Sequence, residues 1–249
     1  MNLGNPIAEG NTAKIFLSNN KIVKVFNDFL PETEALYEAE KQKYAYSCGL
    51  PVPKIHEVTK INDKQAIVME YVKGETLGEL FLHNQERAEH YLNLSVDVQM
   101  EIHDVIGDGI EPMVDKLYRQ INGVEELSTK QKCYLLKKLD SFTNENRLCH
   151  GDFHLFNLLK TDRHIAIIDW VDSSMGDIRA DIYRTYLLYS QFSSDLADLY
   201  LELYCKKSGL LKSEVFQWAP IIAAARLSEN VSSENSERLM EIVNKYCSY

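Results

Sequence analysis

The sequence has few cysteines, no long apolar run and no excess of positive charge. Its five cysteines are scattered over 249 residues without the spacing of a zinc site or a redox dithiol, so we expect free thiols. No apolar run approaches the roughly 18 residues needed to cross a bilayer. The start, Met1 to Asn5, lacks the basic and apolar regions of a secretory signal. These absences predict a cytoplasmic protein that does not associate with membranes.

The charge balance excludes one large class of function. A net charge of −10 argues against a nucleic-acid-binding protein, because such proteins neutralise phosphates with lysine and arginine. An acidic surface would suit a cationic small-molecule partner, since negative clefts attract positive ligands. Solubility alone explains the same balance and is the simpler interpretation. We expect the protein to be a monomer or a weak dimer.

The first 72 residues contain short β-rich runs around one helix. Residues 11–17 and 21–26 are typical of strands joined by a hairpin-like connection, and residues 66–69 form another apolar strand. Residues 31–46 contain alanine, leucine, glutamate, lysine and glutamine, which favour a helix. Gly49 and the prolines that follow it end this helix.

Beyond Gly74 the pattern becomes helical. Leu92, Val96 and Met100 recur every four residues, and Leu135 and Leu139 belong to a second amphipathic helix. Residues 147–170 interrupt the helices with two or three short strands. The sequence therefore predicts an α+β fold with two lobes. A small β-rich N-terminal lobe with one main helix covers residues 1–72, and a larger helical C-terminal lobe covers residues 73–249.

A polar segment between two strand-like runs carries the strongest chemical signal. Asn157 lies five positions after Asp152, and an apolar run ends in the carboxylate of Asp169. Each residue alone has an ordinary explanation as a turn or cap residue. Together they suit phosphoryl transfer, in which Asp152 accepts the proton of an attacking hydroxyl and the oxygens of Asn157 and Asp169 bind Mg²⁺.

The motifs His-Gly-Asp-Phe-His-Leu-Phe-Asn at 150–157 and Ile-Ile-Asp-Trp at 167–170 resemble those of the aminoglycoside phosphotransferase family. That family is similar to choline kinases and, more remotely, to protein kinases. The resemblance implies a protein-kinase-like fold and transfer of the γ-phosphate of ATP or GTP to a hydroxyl of a small molecule. An aminoglycoside, and with it antibiotic resistance, is one possibility; choline-like alcohols and sugars are others.

The resemblance extends to the N-terminal lobe. Lys24 resembles the phosphate-binding lysine, which needs a helix carboxylate to hold it. Of Glu34, Glu38 and Glu40, the spacing to Pro51 favours Glu40, and we expect Glu38 to be in solvent. The resemblance also implies a nucleotide pocket, with adenine between apolar side chains, a bulky residue at its back and backbone contacts at the interlobe hinge: Ile7, Gly10, Ile15, Met69, Glu70, Val72 and Ile168.

Two other functions remain open. A protein kinase is disfavoured because Gly151 replaces the central arginine of the catalytic loop. The path from Asp169 to Gly176 also leaves little room for an activation loop. A nucleotide-binding pseudokinase is disfavoured because the polar catalytic positions are all filled. Acidic residues such as Glu229 and Glu234 would suit the ammonium groups of an aminoglycoside, although a solvated helix face explains them more simply.

Overall fold

The computed structural model describes residues 3–143, 145–231 and 234–247. These residues form ten strands and ten α-helices, a mixed α+β architecture as the sequence predicts. They divide into two compact units. The first unit contains the described residues up to His83 together with Phe156–Asp172. The second contains Asn84–Leu155 and the described residues from Ser173 onward.

The first unit is built on an antiparallel five-stranded sheet in the order β1-β2-β3-β5-β4. Its strands are β1 (Ala8–Glu9), β2 (Ala13–Ser18), β3 (Lys21–Phe26), β4 (Ile55–Ile61) and β5 (Lys64–Glu70). The predicted strands 11–17, 21–26 and 66–69 correspond to β2, β3 and β5. Strand β4 was not predicted, because its polar side chains at exposed positions mask the apolar ones on this edge strand.

Helix α1 (Glu34–Ser47) packs on one face of this sheet, close to the predicted span 31–46. Ala35 and Ala39 of the helix share a buried cluster with Phe26 of β3 and Ile67 of β5. Side chains alternate along a strand, so Lys24 projects to the same face as Phe26. The strand period therefore directs the Lys24 ammonium toward α1.

A later segment of the chain completes the first unit. Strand β6 (Glu75–Thr76) pairs with β8 (Leu158–Lys160), which pairs with β9 (Ile165–Ile167). Helix α2 (Leu77–His83) follows β6 directly. This pairing explains why the first unit extends beyond the expected boundary at residue 72 and includes residues 156–172.

The second unit is mostly helical and also contains one pair of strands. Strand β7 (Arg147–Cys149) pairs with β10 (Ser174–Gly176). Its described residues also form a short 3₁₀ helix at Gln85–Arg87 and eight α-helices: α3 (Ala88–His103), α4 (Met113–Gly123), α5 (Thr129–Asp140), α6 (Ile178–Ser190), α7 (Ser194–Ser208), α8 (Lys212–Phe216), α9 (Ala219–Leu227) and α10 (Ser236–Tyr246).

The apolar patterns in the sequence mark the buried faces of two of these helices. Leu92 and Val96 of α3 are fully buried, as are Leu135 and Leu139 of α5. Across the described ranges, no helix is both long enough and apolar enough to pass through a bilayer.

Candidate active site

A cavity of about 430 Å³ lies within the first unit. Its walls come from β1, β2, β3, β5 and the segment around Asp169, and include most of the predicted nucleotide-binding residues. Those that line it are Ile7, Ile15, Lys24, Met69, Glu70, Val72 and Ile168, and the predicted metal ligand Asp169 lines it as well. Gly10 lies in the turn between β1 and β2, outside the lining. The size is within the range of small-molecule sites.

Lys24 pairs with Glu38, and the predicted partner Glu40 is wrong. Lys24 Nζ lies 2.7 and 2.8 Å from the two carboxylate oxygens of Glu38, which is buried. Glu40 is exposed. The reason is helical geometry: a shift of two residues moves a side chain by more than half a turn, so Glu40 points away from the sheet.

Asp169 is the second carboxylate on the same lysine. Lys24 Nζ also donates to Asp169 Oδ1 at 3.2 Å. Burial alone would lower the pKa of Lys24, but the charges of Asp169 and Glu38 outweigh it and raise that pKa above its usual value. Lys24 therefore stays charged at any physiological pH.

Burial also shifts the pKa of Glu38, the first partner of Lys24. Loss of water around its side chain raises the pKa of Glu38 to about 7, with the charge of Asp169 acting in the same direction and Lys24 opposing it. The charge of Lys24 favours the ionised form of Glu38 and opposes this rise in its pKa. Each member of this ion pair thus favours the ionised form of the other, and both line the cavity.

Asn157 and Asp169 are held close together by backbone pairing. The amide of Ile168, next to Asp169, donates to the carbonyl of Asn157 at 3.0 Å. Asn157 is buried, whereas the side chain of Asp169 is 42% exposed. The structure thus places the two predicted metal ligands on neighbouring segments of the first unit.

Some cavity residues were not predicted from the sequence. Gln42 is buried on α1 and donates to the carbonyl of Pro53 at 2.7 Å, with its amide also 3.7 Å from Met69 Sδ. It therefore holds Met69 in the cavity wall. Glu79 lies at the rim, where its carboxylate accepts from the amide and hydroxyl of Thr76. Neither residue was predicted to line the cavity, because glutamine and glutamate are common on helices and their types alone do not indicate a binding role.

Residues 150–155 of the predicted catalytic loop, including Asp152, belong to the second unit. His150 is fully buried, and the amide of Asp152 lies 3.3 Å from its Nδ1. His154 Nε2 lies 3.5 Å from Asp152 Oδ2. Gly151 adopts a φ of 80°, in the left-handed region that glycine tolerates best. Through these contacts the two histidines support the loop around Asp152.

The carboxylate of Asp181, on α6, accepts hydrogen bonds from the backbone of this loop. Its Oδ1 accepts from the amide of Gly151 at 2.7 Å, and its Oδ2 accepts from the amide of His150 at 3.3 Å. His103 Nε2 lies 2.9 Å from the same Oδ2, and Gln99 donates to it at 3.2 Å. These contacts of Asp181 with the catalytic loop were not predicted from the sequence.

His103, Cys149 and Asp181 also bring three ligand-type atoms within 4.8 Å of one another. His103 uses both ring nitrogens, however, since Nδ1 lies 2.6 Å from the hydroxyl of Tyr204. Burial raises the pKa of the Cys149 thiol well above its ordinary value, which keeps it protonated. In the structure this group forms part of a buried hydrogen-bond network.

The network predicts a pH dependence of stability. Burial opposes ionisation of Asp181, but the hydrogen bond and charge of His103 and the amide of Gly151 outweigh it and lower the pKa of Asp181 from 3.8 to about 2. A lowered carboxyl pKa stabilises the folded state above the unfolded-state value, and that stability is lost as the pH falls toward the folded-state value. The loss therefore occurs between about pH 4 and pH 2.

We expect Asp181→Asn to destabilise the protein at neutral pH by on the order of 2 kcal/mol. At pH 3 the difference from the wild type shrinks by about 1 kcal/mol, because the wild type has lost part of its advantage. Urea unfolding of both proteins at pH 6 and pH 3 measures this. Asp162→Asn, at an exposed position, is the control. An equal difference at both pH values would contradict the assignment.

The acidic residues considered for a cationic acceptor have internal partners. Glu229 accepts two hydrogen bonds from Arg184, each 2.8 Å long, and also contacts Arg226. Glu234 contacts Arg226 and Arg238 at 3.1 Å. These carboxylates join α6, α9 and α10 instead of forming a solvated helix face.

Sequence comparison places the chain in a family. The sequence model of the Phosphotransferase enzyme family matches residues 4–219. The chain belongs to this family. Among curated proteins, human and rat Acyl-CoA dehydrogenase family member 11 are each 28% identical, over 177 and 180 residues. Each match covers 61% of this chain and 23% of the relative, so the chain spans less than a quarter of the length of these relatives.

Solved structures share the fold. A thermostable mutant of aminoglycoside phosphotransferase APH(4)-Ia matches with a TM-score of 0.71 and 15% identity, covering 98% of this chain and 94% of that one. A choline/ethanolamine kinase family protein from Mesorhizobium loti matches with a TM-score of 0.63 and 13% identity, covering 96% and 85%. This likeness confirms the predicted protein-kinase-like α+β fold.

Proposed function

We propose that this member of the phosphotransferase enzyme family is a small-molecule kinase, which moves the γ-phosphate of ATP or GTP to a hydroxyl of its acceptor. The observation that carries the proposal is the buried Lys24–Glu38 pair in the lining of a cavity that Asp169 also lines. Phosphoryl transfer needs a fixed cation for the phosphates and carboxylate or amide ligands for a metal. The first unit supplies both.

The cavity wall suits a nucleoside. Ile7, Ile15 and Ile168 provide apolar surface for a base, and Met69 closes part of the wall. The backbone of Glu70 and Val72 would bond the edge of the base. Structural neighbours support this use of the fold, since one APH(4)-Ia structure is a ternary complex with ADP and hygromycin B and an APH(2'')-Ib structure contains ADP.

The residues present fit magnesium. Asn157 and Asp169 offer an amide and a carboxylate, the hard oxygen donors that Mg²⁺ prefers when it also binds phosphates. The exposed part of the Asp169 carboxylate leaves room for a further ligand beside Lys24. When bound, the ion would neutralise charge on the phosphates.

Asp152 acts on the acceptor. Its carboxylate takes the proton of the acceptor hydroxyl as that oxygen attacks the γ-phosphorus, and the bond to the nucleoside diphosphate breaks. Asp181 holds Asp152 in place through the amides of Gly151 and His150. Lys24, fixed by Glu38, balances charge on the remaining phosphates.

The acceptor is either an aminoglycoside or a choline- or sugar-type metabolite. The hygromycin B complex of a neighbour favours the first class, and the choline/ethanolamine kinase relative favours the second. The internal partners of Glu229 and Glu234 weaken the argument that acidic residues of the second unit bind a polycation. The sequence relatives belong to longer proteins and leave both classes open.

A coupled assay of nucleoside diphosphate release tests the proposal. The protein is incubated with Mg²⁺ and ATP or GTP, together with single members of a panel of aminoglycosides, amino alcohols, sugars and hydroxy acids. We expect at least one acceptor to accelerate diphosphate release and to appear as a phosphomonoester by mass spectrometry. Tight Mg²⁺-dependent nucleotide binding with no transfer to any acceptor would support the pseudokinase alternative instead.

A further inference from the structure

Lys41 is a buried lysine on the face of α1 that also carries Glu38. It is only 3% exposed, and its Nζ donates to the carbonyl of Val171 at 2.7 Å. The same ammonium lies 4.1 Å from the ring centroid of Tyr37. Residues three apart on a helix share one face, so Glu38 and Lys41 project side by side.

Burying a lysine is unfavourable, because its ammonium loses contact with water. A buried lysine can offset this cost where its hydrogen bonds hold a backbone segment that a neutral side chain would not hold. The contact made by Lys41 is with the backbone two residues after Asp169. It therefore ties the segment that carries Asp169 to helix α1.

Asp169 needs such a restraint. Its φ of 63° lies in the left-handed region, which costs free energy for any residue other than glycine. Such a conformation persists only when its surroundings hold it. On the C-terminal side, Trp170 is fully buried and its Nε1 donates to the carbonyl of Ile167 at 3.2 Å. Lys41 restrains the next residue, Val171.

We propose that Lys41 is a positioning residue that sets the orientation of the Asp169 carboxylate by holding the Val171 carbonyl against α1. Since Glu38 fixes Lys24 from the same helix face, one helix then sets both the phosphate-binding cation and the metal-binding carboxylate. This inference rests on the proposed function, in which Asp169 is a magnesium ligand.

The test compares nucleotide binding with and without magnesium. Lys41→Met keeps the length of the side chain but removes the donor, and Lys41→Gln keeps an amide that is too short to make the same contact. Lys43→Met is the matched control, since Lys43 is exposed on the same helix. Dissociation constants for ADP are measured by calorimetry in excess Mg²⁺ and in EDTA, and folding is checked by circular dichroism.

We expect both Lys41 variants to weaken ADP binding in Mg²⁺ by about tenfold or more, as for other residues that orient metal ligands, while binding in EDTA changes by less than about twofold. Lys43→Met should match the wild type in both conditions. This selective loss is not expected of a side chain that serves stability alone, because such a side chain would affect both conditions equally.

Four results would contradict the inference. Equal weakening in Mg²⁺ and EDTA, or no weakening, would show that Lys41 does not act through Asp169. Failure of both Lys41 variants to fold would assign the residue to stability alone. A wild-type protein that binds ADP equally well with and without Mg²⁺ would contradict the proposed magnesium site as well, and this distinguishes the two failures.

Discussion

Replacing Asp152 by asparagine is expected to lower kcat by roughly 10³-fold or more, because general-base catalysis contributes about 10²–10⁴-fold and the amide also loses the negative charge that orients the hydroxyl. Nucleotide affinity should change little, since Asp152 is not among the residues that line the nucleotide cavity. Steady-state kinetics with the acceptor found in the screen, together with calorimetry of nucleotide binding, measures both quantities.

Asp162→Asn is the matched control for this variant, being the same chemical change at an exposed position. It should leave kcat and affinity unchanged. If Asp152→Asn retained more than about a tenth of the wild-type kcat, the assignment of Asp152 as the proton acceptor would be wrong. Loss of nucleotide binding in parallel with kcat would instead indicate a structural role for the loop.

The second large effect concerns Glu38 and Glu40. Glu38→Gln breaks a buried ion pair and leaves Lys24 with Asp169 alone. We expect a loss of about 3 kcal/mol in the free energy of unfolding, in the range found when one partner of a buried pair is removed. The KM for ATP should rise about tenfold, because Lys24 is no longer fixed by a charged partner.

Glu40→Gln makes the same change two residues along the helix at an exposed position. Its stability and KM should equal those of the wild type. Urea unfolding and initial-rate kinetics on the two variants test which glutamate is the partner of Lys24. The structure assigns Glu38, whereas the spacing to Pro51 favoured Glu40. A larger effect from Glu40→Gln than from Glu38→Gln would reverse the assignment.

The sequence predicted the α+β fold, part of the cavity lining and the segments that carry Asp152, Asn157 and Asp169. These predictions were possible because strand and helix periods are local and the polar residues lie in short motifs. The choice between Glu38 and Glu40 failed because a distance along the chain to Pro51 does not determine the face of a helix. Ala35 and Ala39 mark the buried face, and attention to that stripe would have favoured Glu38.

Two contacts near the site and one short strand could not be predicted, because they join parts of the chain that are distant in sequence. The contact of Asp181 with the amide of Gly151 spans 30 residues, and that of Lys41 with the Val171 carbonyl spans 130. A backbone group leaves no mark in the residue type, so neither contact could be recognised from sequence. Strand β6, only two residues long, likewise becomes apparent only through its pairing with β8.

The destination of the γ-phosphate tests the central claim most directly. Labelled ATP is incubated with Mg²⁺, the wild-type protein and the acceptor that stimulates diphosphate release, and the products are separated and identified by mass spectrometry. The account predicts that the label appears as a phosphomonoester of the acceptor, and that Asp152→Asn removes this product while Asp162→Asn does not. Label found only as inorganic phosphate, at a rate independent of acceptor, would contradict it.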